Sequence, residues 1–185
     1  MADIGTHAFQ LSEYVTGSRI NRLFAQLNKI VPGRALDDDG TVIINFENGI
    51  HGSLLASQVA LGEENNLRIK VYGDIGSITW EQMQPNDLLV RWKDKPYQVY
   101  RTATNYHQPG GVVESHSRIP AGHPEGFIEA FANLYRNFAK RVSDIKEGKE
   151  EQLSFDFPGI DDGVRGMRFL DAVIKSSHEE KWVEL

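Results

Sequence analysis

An asparagine-glycine pair at 48–49 stands between two β-rich runs, Thr41–Phe46 (TVIINF) and Ile50–Ala60 (IHGSLLASQVA). Both residue types accept the positive φ that a two-residue hairpin turn demands, so the pair predicts adjacent antiparallel strands. Further strand-like runs follow at short intervals: Leu67–Tyr72 (LRIKVY), Ser77–Glu81 (SITWE), Leu88–Trp92 (LLVRW) and Tyr97–Thr102 (YQVYRT). Parallel neighbours need crossovers of a dozen or more residues, and no connection here is that long. The middle of the chain therefore reads as an antiparallel meander. In LRIKVY, Leu67, Ile69 and Val71 alternate with Arg68 and Lys70, the pattern of a strand with one buried and one wet face.

Helical patterns flank the meander. In residues 3–16, Ile4, Ala8, Leu11 and Val15 recur at three- and four-residue spacings with Tyr14 beside them, and Gly17 supplies the left-handed cap. Residues 18–31 (SRINRLFAQLNKIV) are ambiguous: Ile20, Leu23, Phe24, Leu27 and Ile30 have helical spacing, and Pro32-Gly33 closes the segment. Residues 103–123 form a Gly/Pro/His-rich loop. Pro124 then fits a first helical turn, and Phe127, Phe131, Leu134, Tyr135, Phe138 and Val142 make an amphipathic stripe to about Glu147 that reads as core. A second helix is predicted over Asp161–Ser177, and Trp182–Leu185 reads as a terminal edge strand. Strands in one run with helices at the ends is an α+β pattern, here a single domain over residues 1–185.

Charge and cysteine content exclude several classes. Twenty Lys+Arg against 26 Asp+Glu leave a net charge of −6 with no basic tract, which argues against a general grip on nucleic-acid phosphates. The chain has no cysteine, which removes disulfides, thiolate metal sites and cysteine nucleophiles and fits a cytoplasmic setting. No apolar stretch is long enough to span a bilayer, so no membrane partner is expected.

The strongest chemical candidate is Asp3-Ile4-Gly5-Thr6-His7. Four residues apart on a helix, Asp3 and His7 share a face, and a carboxylate beside an imidazole can orient it as an acid/base. A capping aspartate and a surface histidine fit the same spacing. A metal site is disfavoured, because one Asp and one His are too few. His107, His116 and His123 lie in the long loop, with His123 just before the predicted helix, where free backbone N–H groups favour polar ligands. Ser57 and Gln58, at the end of the second hairpin strand, point polar groups either at a site or at their own neighbours. Gly73-Asp74-Ile75-Gly76-Ser77 lies between strands and reads as a turn, not as a nucleotide loop. Asp37-Asp38-Asp39 lacks calcium-loop spacing and reads as a solvated turn.

DIGTHAFQLSEYVTG at 3–17 resembles the Asp-x-x-x-His helix of the Gfo/Idh/MocA oxidoreductases. The resemblance continues in order through 37–54, 61–90 and AGHPEGFIEAFANLYRNFA at 121–139. It implies a large open-faced, predominantly antiparallel sheet with helices packed on one face, and a strand rather than a helix at 18–31. It also implies a preceding Rossmann domain that binds NAD or NADP and supplies a Glu-Lys-Pro motif. Neither that motif nor a glycine fingerprint is present, and Met1-Ala2 reads as an added start. The chain is thus expected to be a C-terminal substrate-binding and oligomerising domain that binds no cofactor alone. By resemblance, His7 exchanges the hydroxyl proton of a sugar or cyclitol while Asp3 holds substrate hydroxyls; His123 is a further contact read from its place before the helix. Pairing with a second subunit through the sheet face is also implied. The competing expectation is a free-standing, non-catalytic ligand-binding or interaction domain of the same fold.

Overall fold

The segment with helical spacing is a strand, β1 (Ile20–Asn28), and its irregularity explains the misleading pattern. Its pairing with β2 (Asp39–Phe46) shifts register between Ile20 and Arg22, so one extra residue is accommodated there. That bulge lets Ile20 and Leu23, three apart, face the same core, which a regular two-residue alternation forbids. The computed structural model describes residues 1–102, 104, 111–149 and 157–185. Their contacts divide into two compact units, Met1–Val71 with Ile160–Leu185, and Tyr72–Gly159.

In the first unit, β2 turns into β3 (His51–Ser57) through the three-residue loop Glu47-Asn48-Gly49. Gly49 takes φ 85° and Asn48 does not take positive φ, so the Asn-Gly pair marks the hairpin without forming the expected two-residue turn. The sheet runs β3-β2-β1-β8, where β8 (Val183–Glu184) pairs antiparallel with Arg22 and Leu23. Two helices cover one face: α1 (Gly5–Thr16) lies on β3, α4 (Ile160–Glu179) lies on β1, and the two touch each other. Leu23, Val42, Ile44, Leu54, Phe9, Phe169 and Val173 are buried between them, while Ile43 and Leu55 point outward from the other face.

Past the short β8, the outer edge of β1 is closed by side chains. The Ala25 and Leu27 N–H groups donate to the hydroxyls of Ser176 and Ser177, each at 2.9 Å. Helix α4 thus supplies the acceptors that a longer edge strand would have supplied.

Four strands form the second antiparallel sheet in the order β4-β5-β6-β7: Arg68–Tyr72, Gly76–Glu81, Asp87–Trp92 and Gln98–Arg101. The α+β, antiparallel class expected from the strand run is what the chain adopts, with its strands laddered as two sets of four. A Cβ at Gly76 would sit 2.6 Å from the Arg91 carbonyl oxygen, so this glycine serves close strand approach. The second unit holds β5, β6 and β7 of the second sheet together with α2 (Val112–His116), inside the predicted loop, and α3 (Phe127–Lys146).

Several expectations fail. Helix α3 begins after Gly126 rather than at Pro124, and the Gly126 N–H donates to the Glu129 carboxylate at 2.9 Å. That charge-assisted bond holds the Glu129 carboxyl below the usual range. The stripe read as core is exposed at Phe127, Phe131, Leu134, Tyr135 and Phe138, while Asn133, Asn137 and Asp144 are buried. Asn133 is drawn inward by Arg118 and by the His116 carbonyl, at 2.8 Å each. In α1, Phe9 is the buried centre, Ile4 and Ala8 of the predicted stripe pack partly buried against the same core, and Tyr14 is exposed. Asp38 is not solvated: it is buried and accepts the Ile30 and Val31 N–H groups at 2.6 and 2.9 Å. No helix among the described residues is long and apolar enough to cross a membrane.

Candidate active site

Two tertiary anchors fix α1. Phe9 stacks on Phe169 with ring centroids 4.3 Å apart. One turn along, Glu13 receives the Arg165 guanidinium at 2.8 and 2.6 Å through two nitrogens, a forked pair more directional than a lysine contact. The same pair holds β1: the Ile20 N–H donates to Glu13 Oε1 at 2.7 Å, and Arg165 donates to the Ile20 carbonyl at 2.7 Å. Both side chains are mostly shielded from water, and the Glu13 contact raises the Arg165 pKa further against the cost of its burial.

These anchors leave the opposite face of the first turn open. Asp3 lies just before α1, within a turn closed by the Gly5 N–H on the Met1 carbonyl at 2.9 Å, so the four-residue spacing to His7 holds. Both side chains are exposed. Among the described residues, no hydrogen bond or ion pair joins the Asp3 carboxylate to the His7 ring. Asp3 Oδ2 instead accepts the Gln58 side-chain amide at 2.8 Å. Of the two strand-end candidates, Ser57 turns toward its neighbour, accepting the Val59 N–H at 3.4 Å, and Gln58 reaches Asp3. The exposed start of α1 therefore presents a carboxylate tethered by a neutral donor and an imidazole free to meet a ligand.

His123 belongs to the second unit. It follows Gly122, at φ 84°, and its Nδ1 lies 3.0 Å from the Pro120 carbonyl. The segment after it is clamped by Asn86, whose Oδ1 accepts the Glu125 N–H and whose Nδ2 donates to the Glu125 carbonyl. The Glu125 carboxylate accepts the Arg118 and Ile119 N–H groups at 2.6 and 2.8 Å, so it braces the loop instead of the helix start. His116 is half-buried, with Nδ1 2.9 Å from the Val112 carbonyl, as a helix-closing residue. His107 lies outside the described residues.

Sequence reasoning missed Arg165 and Asn86. An acid on one helix and a base on another carry no mark of pairing when 152 residues apart, and an asparagine between two strands reads only as a turn former. Among the described residues no group of three or more His, Asp or Glu side chains could hold a metal ion. The Gly73–Gly76 segment lies between β4 and β5, and its second glycine is explained by the close Arg91 carbonyl.

Residues 1–79 match the family model for the GFO/IDH/MocA C-terminal domain. The whole chain is 30% identical over 189 residues to an uncharacterized oxidoreductase, YfiI, of Bacillus subtilis, covering 47% of it. An oxidoreductase structure from Sinorhizobium meliloti superposes with a TM-score of 0.91 at 39% identity, over 98% of this chain and 51% of that one. An inositol dehydrogenase homolog from Azotobacter vinelandii, complexed with NADH and myo-inositol, superposes with a TM-score of 0.91 at 33% identity, over 99% and 49%. The chain spans about half the length of the curated relatives it matches.

Proposed function

We propose that the chain is the C-terminal, substrate-binding half of an NAD(P)-dependent sugar or cyclitol dehydrogenase of the GFO/IDH/MocA family, whose C-terminal-domain model its residues 1–79 match. The observation that supports this reading is the exposed start of α1, where Asp3, in the turn before the helix, and His7, in its first turn, both face solvent while Phe9 and Glu13 lock the helix from behind.

In this reading the nicotinamide group is held by the half of the enzyme this chain does not span, and it supplies the hydride acceptor or donor. The chain's own residues handle the substrate and the proton. Asp3 accepts a hydrogen bond from a substrate hydroxyl and sets its orientation. His7 takes the proton from the reacting hydroxyl as the C–H hydride departs, so the carbonyl forms without a free alkoxide; in reduction it returns that proton. His123 contributes a further polar contact to substrate, with its Nδ1 side committed to the Pro120 carbonyl. The outward face of the first sheet, with Ile43 and Leu55 exposed, is the surface through which two copies pair. The cysteine-free composition supports a cytoplasmic setting.

Steady-state kinetics of the intact dehydrogenase test the assignment. His7→Ala is expected to lower kcat by about 10²–10⁴-fold, the range typical of losing a positioned acid/base. His123→Ala is expected to raise KM with kcat little changed. Near-normal turnover in the first variant removes His7 from proton transfer, and an unchanged KM in the second removes His123 from substrate binding.

A further inference from the structure

We infer that Gln58 is the positioning residue for Asp3, orienting its carboxylate toward substrate through the bond from the Gln58 amide to Oδ2. The inference rests on the reading of Asp3 as a substrate-binding group. An exposed carboxylate in a turn before a helix ordinarily samples several rotamers, and immobilising it costs side-chain entropy at the moment substrate binds. Here that ordering is made in advance. The Gln58 side chain, 55 residues away in sequence, donates to Oδ2 at 2.8 Å, leaving Oδ1 for a substrate hydroxyl.

The donor's chemistry matters. A lysine or arginine would neutralise the carboxylate and weaken its acceptor strength toward a neutral hydroxyl. An amide fixes the geometry and leaves the charge intact. Among the described residues Asp3 makes no ion pair, so this neutral bond is its only tie to the sheet. Gln58 is itself well founded. It follows the last paired residue of β3, Ser57 opposite Asp39, and its backbone N–H donates to the Asp38 carbonyl at 2.8 Å. Asp38 is buried and bonded to Ile30, Val31 and Arg34. The orientation of Asp3 is thereby referred to the rigid sheet rather than to the end of a helix.

The test uses the intact dehydrogenase carrying this chain, with a double-mutant cycle between Gln58 and Asp3. Gln58→Leu is expected to raise KM for the hydroxyl substrate about tenfold, the scale of one hydrogen bond to a charged group, with kcat and NAD(H) affinity within about twofold. Gln58→Glu, nearly isosteric, is expected to do worse than leucine because it sets two carboxylates face to face; a packing role predicts the reverse order. In the Asp3→Ala background, Gln58→Leu is expected to change KM no further. An unchanged KM in Gln58→Leu, or an equal rise with and without Asp3, overturns the inference alone. An Asp3→Ala enzyme with normal KM and kcat overturns the functional reading and the inference together. The Gln58 side-chain amide resonances of this chain then separate the contact from its use: a shift on Asp3→Ala shows the bond, and no shift shows that the bond itself is wrong.

Discussion

At the scale of single residues, Asp38 couples the fold to pH. Its carboxyl is held below the usual aspartate range first by the Ile30 N–H, then by the Val31 N–H, with the Arg34 charge adding and desolvation opposing. Because the folded-state pKa lies below the unfolded one, the stabilisation is complete above the ordinary value of about 3.9 and fades as pH falls through the folded value. Asp38→Asn is therefore expected to be less stable than the parent at neutral pH, with the gap closing in acid. Urea denaturation at neutral pH and at about pH 3 checks this, and an identical gap at both would refute it. Nothing local marks Asp38 among its neighbours Asp37 and Asp39. Its distinction comes from the folding back of residues 29–38, which brings two free N–H groups to one carboxylate.

At the scale of elements, the junction of α4 with β1 depends on hydroxyls. Ser176 is fully buried; its Oγ accepts the Ala25 N–H and donates to the Lys181 carbonyl at 2.6 Å. Ser176→Ala strands the buried Ala25 N–H and removes the donor to the Lys181 carbonyl, and is expected to cost about 1–3 kcal/mol, whereas the half-buried Ser177→Ala costs less. A lower urea midpoint with unchanged slope is the expected sign, and equal stability of the two variants would contradict the account. The elements themselves were legible to unequal degrees. The hairpin at Asn48-Gly49 and the short-linked strands after it are local facts and appear where the sequence places them, although the turn is a three-residue loop with only Gly49 at positive φ. Strand β1 deceived because its bulge turns a two-residue period into a three-residue spacing, and only the resemblance to a family corrected it. In α3 the apolar spacing identified a helix but not the buried side, since Arg118 and the His116 carbonyl draw Asn133 inward.

For the whole molecule, the proposal that the nicotinamide is held by the half of the enzyme this chain does not span yields a direct expectation. Titration calorimetry of this chain with NAD(H) and NADP(H) should give no saturable heat, and clear binding of either would mean that a cradle exists on these residues after all. The amino-acid sequence alone determined what depends on near neighbours: the antiparallel meander and the helices at its two ends. These follow from backbone rules acting over a few residues. Only tertiary structure decided that Glu13 meets Arg165, that Gln58 meets Asp3, and that Phe9 is the buried centre of α1. Such pairings depend on how the chain returns upon itself across 55 to 160 residues, and no periodicity in a linear pattern records that return.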